Sequence, residues 1–265
     1  MESITLTQAL LLTLMAIIVG IDFWLEAFFL FRPIIVGTLT GLILGDVHTG
    51  LIAGGLTELA FAGLTPAGGT QPPNPVLAGL MTTVIAFTTG TDPKTAIGLA
   101  LPFSFLMQYI LLFYYSSFSL FMARADKYAE EANVKGLVKI NVITTLIVAI
   151  SYGIVVFLSV YVAQDLMKTI VQSMPAWLAH GFEVAGGILP AVGFGMLLRV
   201  MMKAEYIPYF IIGFFIATFL PFSNLLPVAV IGVALALYEY FRTKEHPALY
   251  NNVIASKGDG YDDGI

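Results

Sequence analysis

The decisive stretch runs from Gly45 to Pro75, GDVHTGLIAGGLTELAFAGLTPAGGTQPPNP. It sets Gly, Pro, Thr, Gln and Asn beside two acids, Asp46 and Glu58, inside an otherwise very apolar chain. Hydrocarbon tolerates irregular backbone only where protein buries it or where it lines a cavity. A polar, helix-breaking segment at membrane depth is therefore the expected place for a ligand site.

The surroundings establish that membrane context. The chain has 265 residues, 58% hydrophobic and 11% charged, with a mean hydropathy of +0.89. Soluble domains carry roughly a quarter charged residues. Apolar runs recur near 5–30, 33–45, 50–64, 76–91, 96–122, 138–163, 184–202, 206–220 and 224–241. The pattern predicts an all-α polytopic membrane protein with about 8–10 transmembrane elements. Residues 1–242 form the membrane domain, and 243–265 form a Gly/Asp-rich tail expected to be disordered. The start, MESITLTQALLLTLMAIIVG, lacks a basic leading region and reads as a retained membrane element. Net charge is -5 with no basic tract, which argues against nucleic acid as a partner. No cysteine is present, so disulfide and thiolate chemistry are excluded.

Several apolar runs are too short for a span of ~20 residues. Segments 33–45, 50–64 and 206–220 are expected to be broken or re-entrant helices, with Pro33, Pro66, Pro72, Pro73, Pro75 and the Gly pairs 54/55 and 68/69 as breaks. Gly37, Gly41 and Gly45, spaced by four, suit close helix packing. The hydrophilic loop 123–139, with Arg124, Lys127, Lys135 and Lys139, is placed in the cytoplasm by the positive-inside rule. Counting spans forward puts 164–183 outside as an amphipathic segment and the tail from Arg242 inside.

Five positions hold groups suited to chemistry: Asp22, Glu26, Glu58, Gln71 and Asn74. Asp22 and Glu26, four apart in GIDFWLEAFF, share a helical face. An ionisable residue within a membrane is functional by default. Asp22 is thus a ligand or, beside Trp24, part of an interfacial belt, and Glu26 is expected to pair with Arg32. Glu58 has apolar residues on both sides and no basic neighbour in its segment. A buried carboxylate needs a partner or a proton. Sugar hydroxyls are suitable donors, with Thr57 assisting; a protonated structural Glu is the other reading. Gln71 and Asn74 are amides on a Pro-stiffened loop, suited to hydroxyl and acetamido groups or to a surface turn. Gly68 and Gly69 permit close backbone approach. Asp46 reads as a helix cap. No metal-ligand spacing, phosphate loop or nucleophile–base pair is present, so no cofactor is expected.

From Arg32 to Pro75 the run RPIIVGTLTGLILGDVHTGLIAGGLTELAFAGLTPAGGTQPPNP resembles the IIC subunit of the mannose/sorbose class of bacterial sugar phosphotransferase systems. The family pattern Gly-x3-Gly-Asp-x3-Gly-x2-Gly-Gly-x2-Glu is met by Gly41, Gly45, Asp46, Gly50, Gly55 and Glu58. The fit is off by a small step: the glycine pair is 54/55, directly before Leu56, Thr57 and Glu58. The QPPN loop and terminal DGI look closest to the N-acetylgalactosamine/galactosamine branch. The resemblance implies a non-catalytic, sugar-translocating subunit in the bacterial inner membrane, with a cytoplasmic C-terminus and an elevator mechanism. It implies pairing with a IID membrane subunit in a trimer of heterodimers, and phosphorylation of the sugar by IIB, charged through IIA. Its implied sugar ligands are Asp22, Thr57, Glu58, Thr65, Gly68, Gly69, Gln71 and Asn74. An ion-coupled secondary transporter using Glu58 or Asp22 as proton site, or a non-transporting scaffold, also fits the residues alone.

Glu58→Gln is expected to lower sugar affinity about tenfold or more, the cost of one charge-assisted hydrogen bond. Uptake kinetics of the variant check this, and unchanged kinetics contradict it.

Overall fold

The computed structural model describes residues 3–64, 72–203, 206–220 and 226–245. Among them there are helices and no strands: α1 Leu6–Leu25, α2 Pro33–Leu44, α3 Val47–Phe61, α4 Pro75–Thr89, α5 Pro93–Ser117, α6 Met122–Glu130, α7 Val134–Phe157, α8 Gln164–Ser173, α9 Ala176–Met201, α10 Ile207–Phe219 and α11 Leu226–Glu245. The chain divides into two compact units, one ending at Val200 and one beginning at Met201. In the second, α10 packs on α11. The site lies in the first.

Four helical stretches are long and apolar enough to cross a membrane: Leu6–Leu25, Pro93–Glu130, Val134–Val162 and Ala176–Met201. The multi-span expectation holds, and the segments 33–45, 50–64 and 206–220 expected to be short do form the short helices α2, α3 and α10; α4, not singled out as short from sequence, is short as well. α2, α3 and α4 have 12, 15 and 15 residues, about 18–23 Å at 1.5 Å per residue, well short of a ~30 Å hydrocarbon core. Proline opens two of them, Pro33 at α2 and Pro75 at α4, where the missing N–H and fixed φ cost nothing.

α2 and α3 form a tight hairpin because their facing residues have no side chains. A Cβ on Gly37 would stand 2.6 Å from the Gly54 Cα, and one on Gly41 2.7 Å from the Gly50 Cα. Contrary to the sequence expectation, the pair 54/55 does not break α3; Gly54 packs within it against the Pro33 carbonyl. Gly45 is a turn residue rather than a packing one: its φ of 92° caps α2, a conformation glycine adopts without Cβ strain. Asp46 then caps α3, accepting from the Thr49 N–H at 3.0 Å and the Thr49 hydroxyl at 2.5 Å.

α4 is the buried centre, with thirteen of its fifteen residues inaccessible and α2, α3 and α5 packed on it. Its hydroxyls are made compatible with burial by back-bonding: Thr82, Thr83, Thr88 and Thr89 each donate to the carbonyl four residues earlier. α1 and α7 run antiparallel, Gly20 receiving the Tyr152 ring and Gly153 receiving Ile17 and Thr13.

Three boundaries differ from the sequence reading. The hydrophilic segment 123–139 is helical rather than loop, forming α6 and the first turns of α7, with Asn133 capping through the Gly136 N–H at 3.0 Å. The segment 164–183 is not one element: α8 ends at Ser173, and α9 starts at Ala176 behind Pro175, whose carbonyl accepts from the Leu178 and Ala179 N–H groups. α11 continues to Glu245, into the segment assigned to the tail; residues 246–265 lie outside the described residues.

Gly50→Ala, whose Cβ would meet the Gly37 carbonyl oxygen at 2.5 Å, is expected to destabilise the protein, whereas Gly55→Ala, with nothing within 4 Å, is not. Overpacking costs about 1–3 kcal/mol. Thermal unfolding of the detergent-purified variants is the check, and equal melting temperatures contradict the glycine contact.

Candidate functional site

The ends of the short helices converge. The Pro33 carbonyl lies against Gly54 of α3 and Gly79 of α4. The start of α4 meets Tyr152 of α7, and α9 approaches α3 where Gly193 faces the Leu59 and Ala60 carbonyls. Here the backbone stops and starts inside the helical assembly, and its orphan N–H groups need partners other than water. The acids and amides singled out from sequence supply several of them.

Glu58 sits near the C-terminal end of α3. Its side chain is 17% exposed and forms an ion pair with the half-exposed Arg32 guanidinium. Its second oxygen accepts from the Ile34 N–H at 3.3 Å, in the first turn of α2. Two sequence expectations are corrected here. Glu58 is not a lone carboxylate, because the fold brings it a cation from 26 positions earlier. Arg32 does not pair with Glu26: that residue ends α1 in the left-handed region at φ 50°, while the chain turn carries Arg32 to α3.

Asp22 is 5% exposed. Its two oxygens accept from the Phe28 and Leu30 N–H groups, each at 2.6 Å. Asn74 is 1% exposed and caps α4. Its Oδ1 accepts from the Leu77 N–H at 3.0 Å, and its Nδ2 donates to the Tyr152 hydroxyl at 2.6 Å. Its carbonyl accepts from the Ser104 hydroxyl at 2.7 Å, and its N–H donates to the Ser104 carbonyl at 3.2 Å. The carboxylate of Asp22 and the amide of Asn74 are thus engaged by the protein. Thr57 is buried beside Glu58 in sequence and donates to the Ala53 carbonyl at 2.8 Å. Thr65, Gly68, Gly69 and Gln71 lie outside the described residues.

Sequence reasoning missed Arg32, Ser104 and Tyr152. Arg32 had a signal: with Lys94 it is the only basic residue before Arg124. Ser104 and Tyr152 had none, since their roles come from helices that meet 30 and 78 residues from Asn74. The Arg32–Glu58 pair places cationic N–H donors beside carboxylate acceptors at a partly open position. That mixed set matches a solute rich in hydroxyls, each of which donates and accepts.

Half-length helices closing on an accessible polar pair define a polytopic transporter-type membrane protein. Comparison with known proteins gives the family. Residues 6–238 match the family model described as the PTS system sorbose-specific IIC component. The chain is 62% identical, over the full length of both, to N-acetylgalactosamine permease IIC component 1 of Escherichia coli K12. It is 31% identical to the sorbose-specific EIIC component of Klebsiella pneumoniae, covering 89% of each chain. A solved membrane-protein structure matches with a TM-score of 0.79 at 30% identity, covering 92% of this chain and 99% of that one. The mannose transporter ManYZ, determined by cryo-EM in complex with microcin E492, matches with a TM-score of 0.57 at 29% identity, covering 90% and 96%. The chain belongs to the sorbose-type IIC family, the multi-pass membrane components of sugar phosphotransferase systems.

Tyr152→Phe is expected to destabilise the protein by about 1–3 kcal/mol, because it strands the buried Asn74 amide that now reaches the Tyr152 hydroxyl. Chemical or thermal unfolding checks this, and wild-type stability contradicts the capping role of the pair.

Proposed function

We propose that the chain is the sugar-recognising and translocating subunit of a phosphoenolpyruvate-dependent system that imports N-acetylgalactosamine or galactosamine. The observation that carries the choice of sugar is the 62% identity over the full length of an N-acetylgalactosamine permease IIC component. The observation that carries the site is the Arg32–Glu58 pair at the convergence of α2 and α3.

In this reading Glu58 accepts from sugar hydroxyls and Arg32 donates to ring or acetamido oxygens. Thr57 lies on the same helix as Glu58, and Thr65, Gly68, Gly69 and Gln71 are further sugar contacts in this reading. Asp22 and Asn74, drawn from sequence as ligands, act instead through the backbone they hold. The subunit works with a IID membrane partner in a trimer of heterodimers, moves its sugar-binding part as an elevator, and delivers the sugar to IIB for phosphorylation. The likeness to the mannose transporter ManYZ supports the pairing. Basic residues on α6 and the first turns of α7, including Arg124, Lys127 and Lys135, support a cytoplasmic position for that hairpin and hence for the C-terminus. Ion coupling is the weaker reading: protonating Glu58 would leave the Arg32 cation without its partner.

Uptake of labelled N-acetylgalactosamine by cells expressing the complete system tests this. It is expected to persist with a protonophore and to stop when phosphoenolpyruvate is depleted. Loss with the protonophore at unchanged phosphoenolpyruvate overturns the reading in favour of a secondary transporter.

A further inference from the structure

The short segment between α1 and α2 is folded in an unusual way. Glu26 and Phe29 both adopt left-handed backbone, with φ of 50° and 59°. Neither is glycine, and such conformations persist only when their surroundings over-determine them. Outward packing does little of this: Phe28 is 78% exposed and Phe29 55%. Phe31 packs between Phe23 and Phe29, with ring centroids 5.2 and 5.5 Å away. The main restraint comes from the inside. Asp22 binds the Phe28 and Leu30 N–H groups, one on each side of left-handed Phe29. The Phe29 carbonyl in turn accepts from the Arg32 N–H at 3.3 Å, and Arg32 reaches Glu58.

We propose that Asp22 is a positioning residue for the sugar site. Its carboxylate clamps the strained Glu26–Arg32 turn in the one conformation that presents the Arg32 guanidinium to Glu58. This rests on the reading of Arg32 and Glu58 as the sugar-binding pair. Asp22 acts through backbone, since both oxygens are occupied and its side chain is shielded from solute. The strain gives the clamp its effect. Without two acceptor oxygens the turn relaxes toward ordinary φ values, and Arg32 loses its fixed starting point. Asparagine cannot replace the clamp, because one of its two terminal atoms is a donor facing an N–H.

The test is titration of N-acetylgalactosamine into the full chain co-purified with its partner membrane subunit, with melting temperature measured on the same samples. Asp22→Asn is expected to weaken binding about tenfold. Adding Phe29→Gly to Asp22→Asn is expected to recover about threefold or more, because glycine takes positive φ without strain. Lost affinity without recovery in the double variant overturns the proposal and makes Asp22 a sugar contact. Unchanged affinity of Asp22→Asn at a lower melting temperature also overturns it and leaves Asp22 as fold support alone. Glu58→Gln in the same titration separates the two claims. Wild-type binding there sinks the site reading itself, whereas lost binding there with normal Asp22→Asn sinks only the positioning role.

Discussion

A helix that stops inside an apolar layer must have its terminal N–H and C=O groups satisfied by protein, because no water is available to do it. The rest of this structure depends on that constraint. α2, α3 and α4 are half-length, and their ends meet near Pro33, Glu58 and Asn74. The N-terminal ends are closed by polar side chains, Glu58 on Ile34, Asp46 on Thr49 and Asn74 on Leu77, and Asp22 holds the turn entering α2, whereas α2 and α4 end at the glycines Gly45 and Gly90. Polarity that looks misplaced in a membrane sequence is largely the structural cost of broken helices.

Glu58 differs from the others in what remains available. It is partly exposed, and its pair with Arg32 offers donors and acceptors side by side. On the proposed reading such a pair is preorganised, since the cation already fixes the carboxylate before a solute arrives. The glycine contacts between α2 and α3 bring the two residues together: with Gly37 on Gly54 and Gly41 on Gly50, the hairpin closes at backbone distance. A larger residue at those positions would separate the helices that carry Arg32 and Glu58.

Much of this was legible in the sequence, for identifiable reasons. The short helices were announced by Pro33, Pro75 and short apolar runs, and the cap at Asp46 by its position before a helical pattern. That Glu58 would be partly buried and in need of a partner followed from a carboxylate in an apolar run. The family pattern over Gly41–Glu58 was sound, as residues 6–238 match the IIC model. Pairings between distant segments were illegible. Nothing local to Glu58 indicates Arg32, and nothing in the QPPN loop indicates that Asn74 turns inward to Tyr152 rather than outward. The Gly54/Gly55 pair was misread as a break because glycine serves both flexibility and close approach, and only the opposing helix decides which.

The most direct measurement is a structure of the chain with its partner membrane subunit and bound N-acetylgalactosamine. The account predicts a sugar hydroxyl within hydrogen-bonding distance of the Glu58 carboxylate, about 2.5–3.0 Å, with Arg32 on the same sugar and Asp22 still holding Phe28 and Leu30. A sugar bound elsewhere, with the Arg32–Glu58 pair intact and untouched, would contradict it.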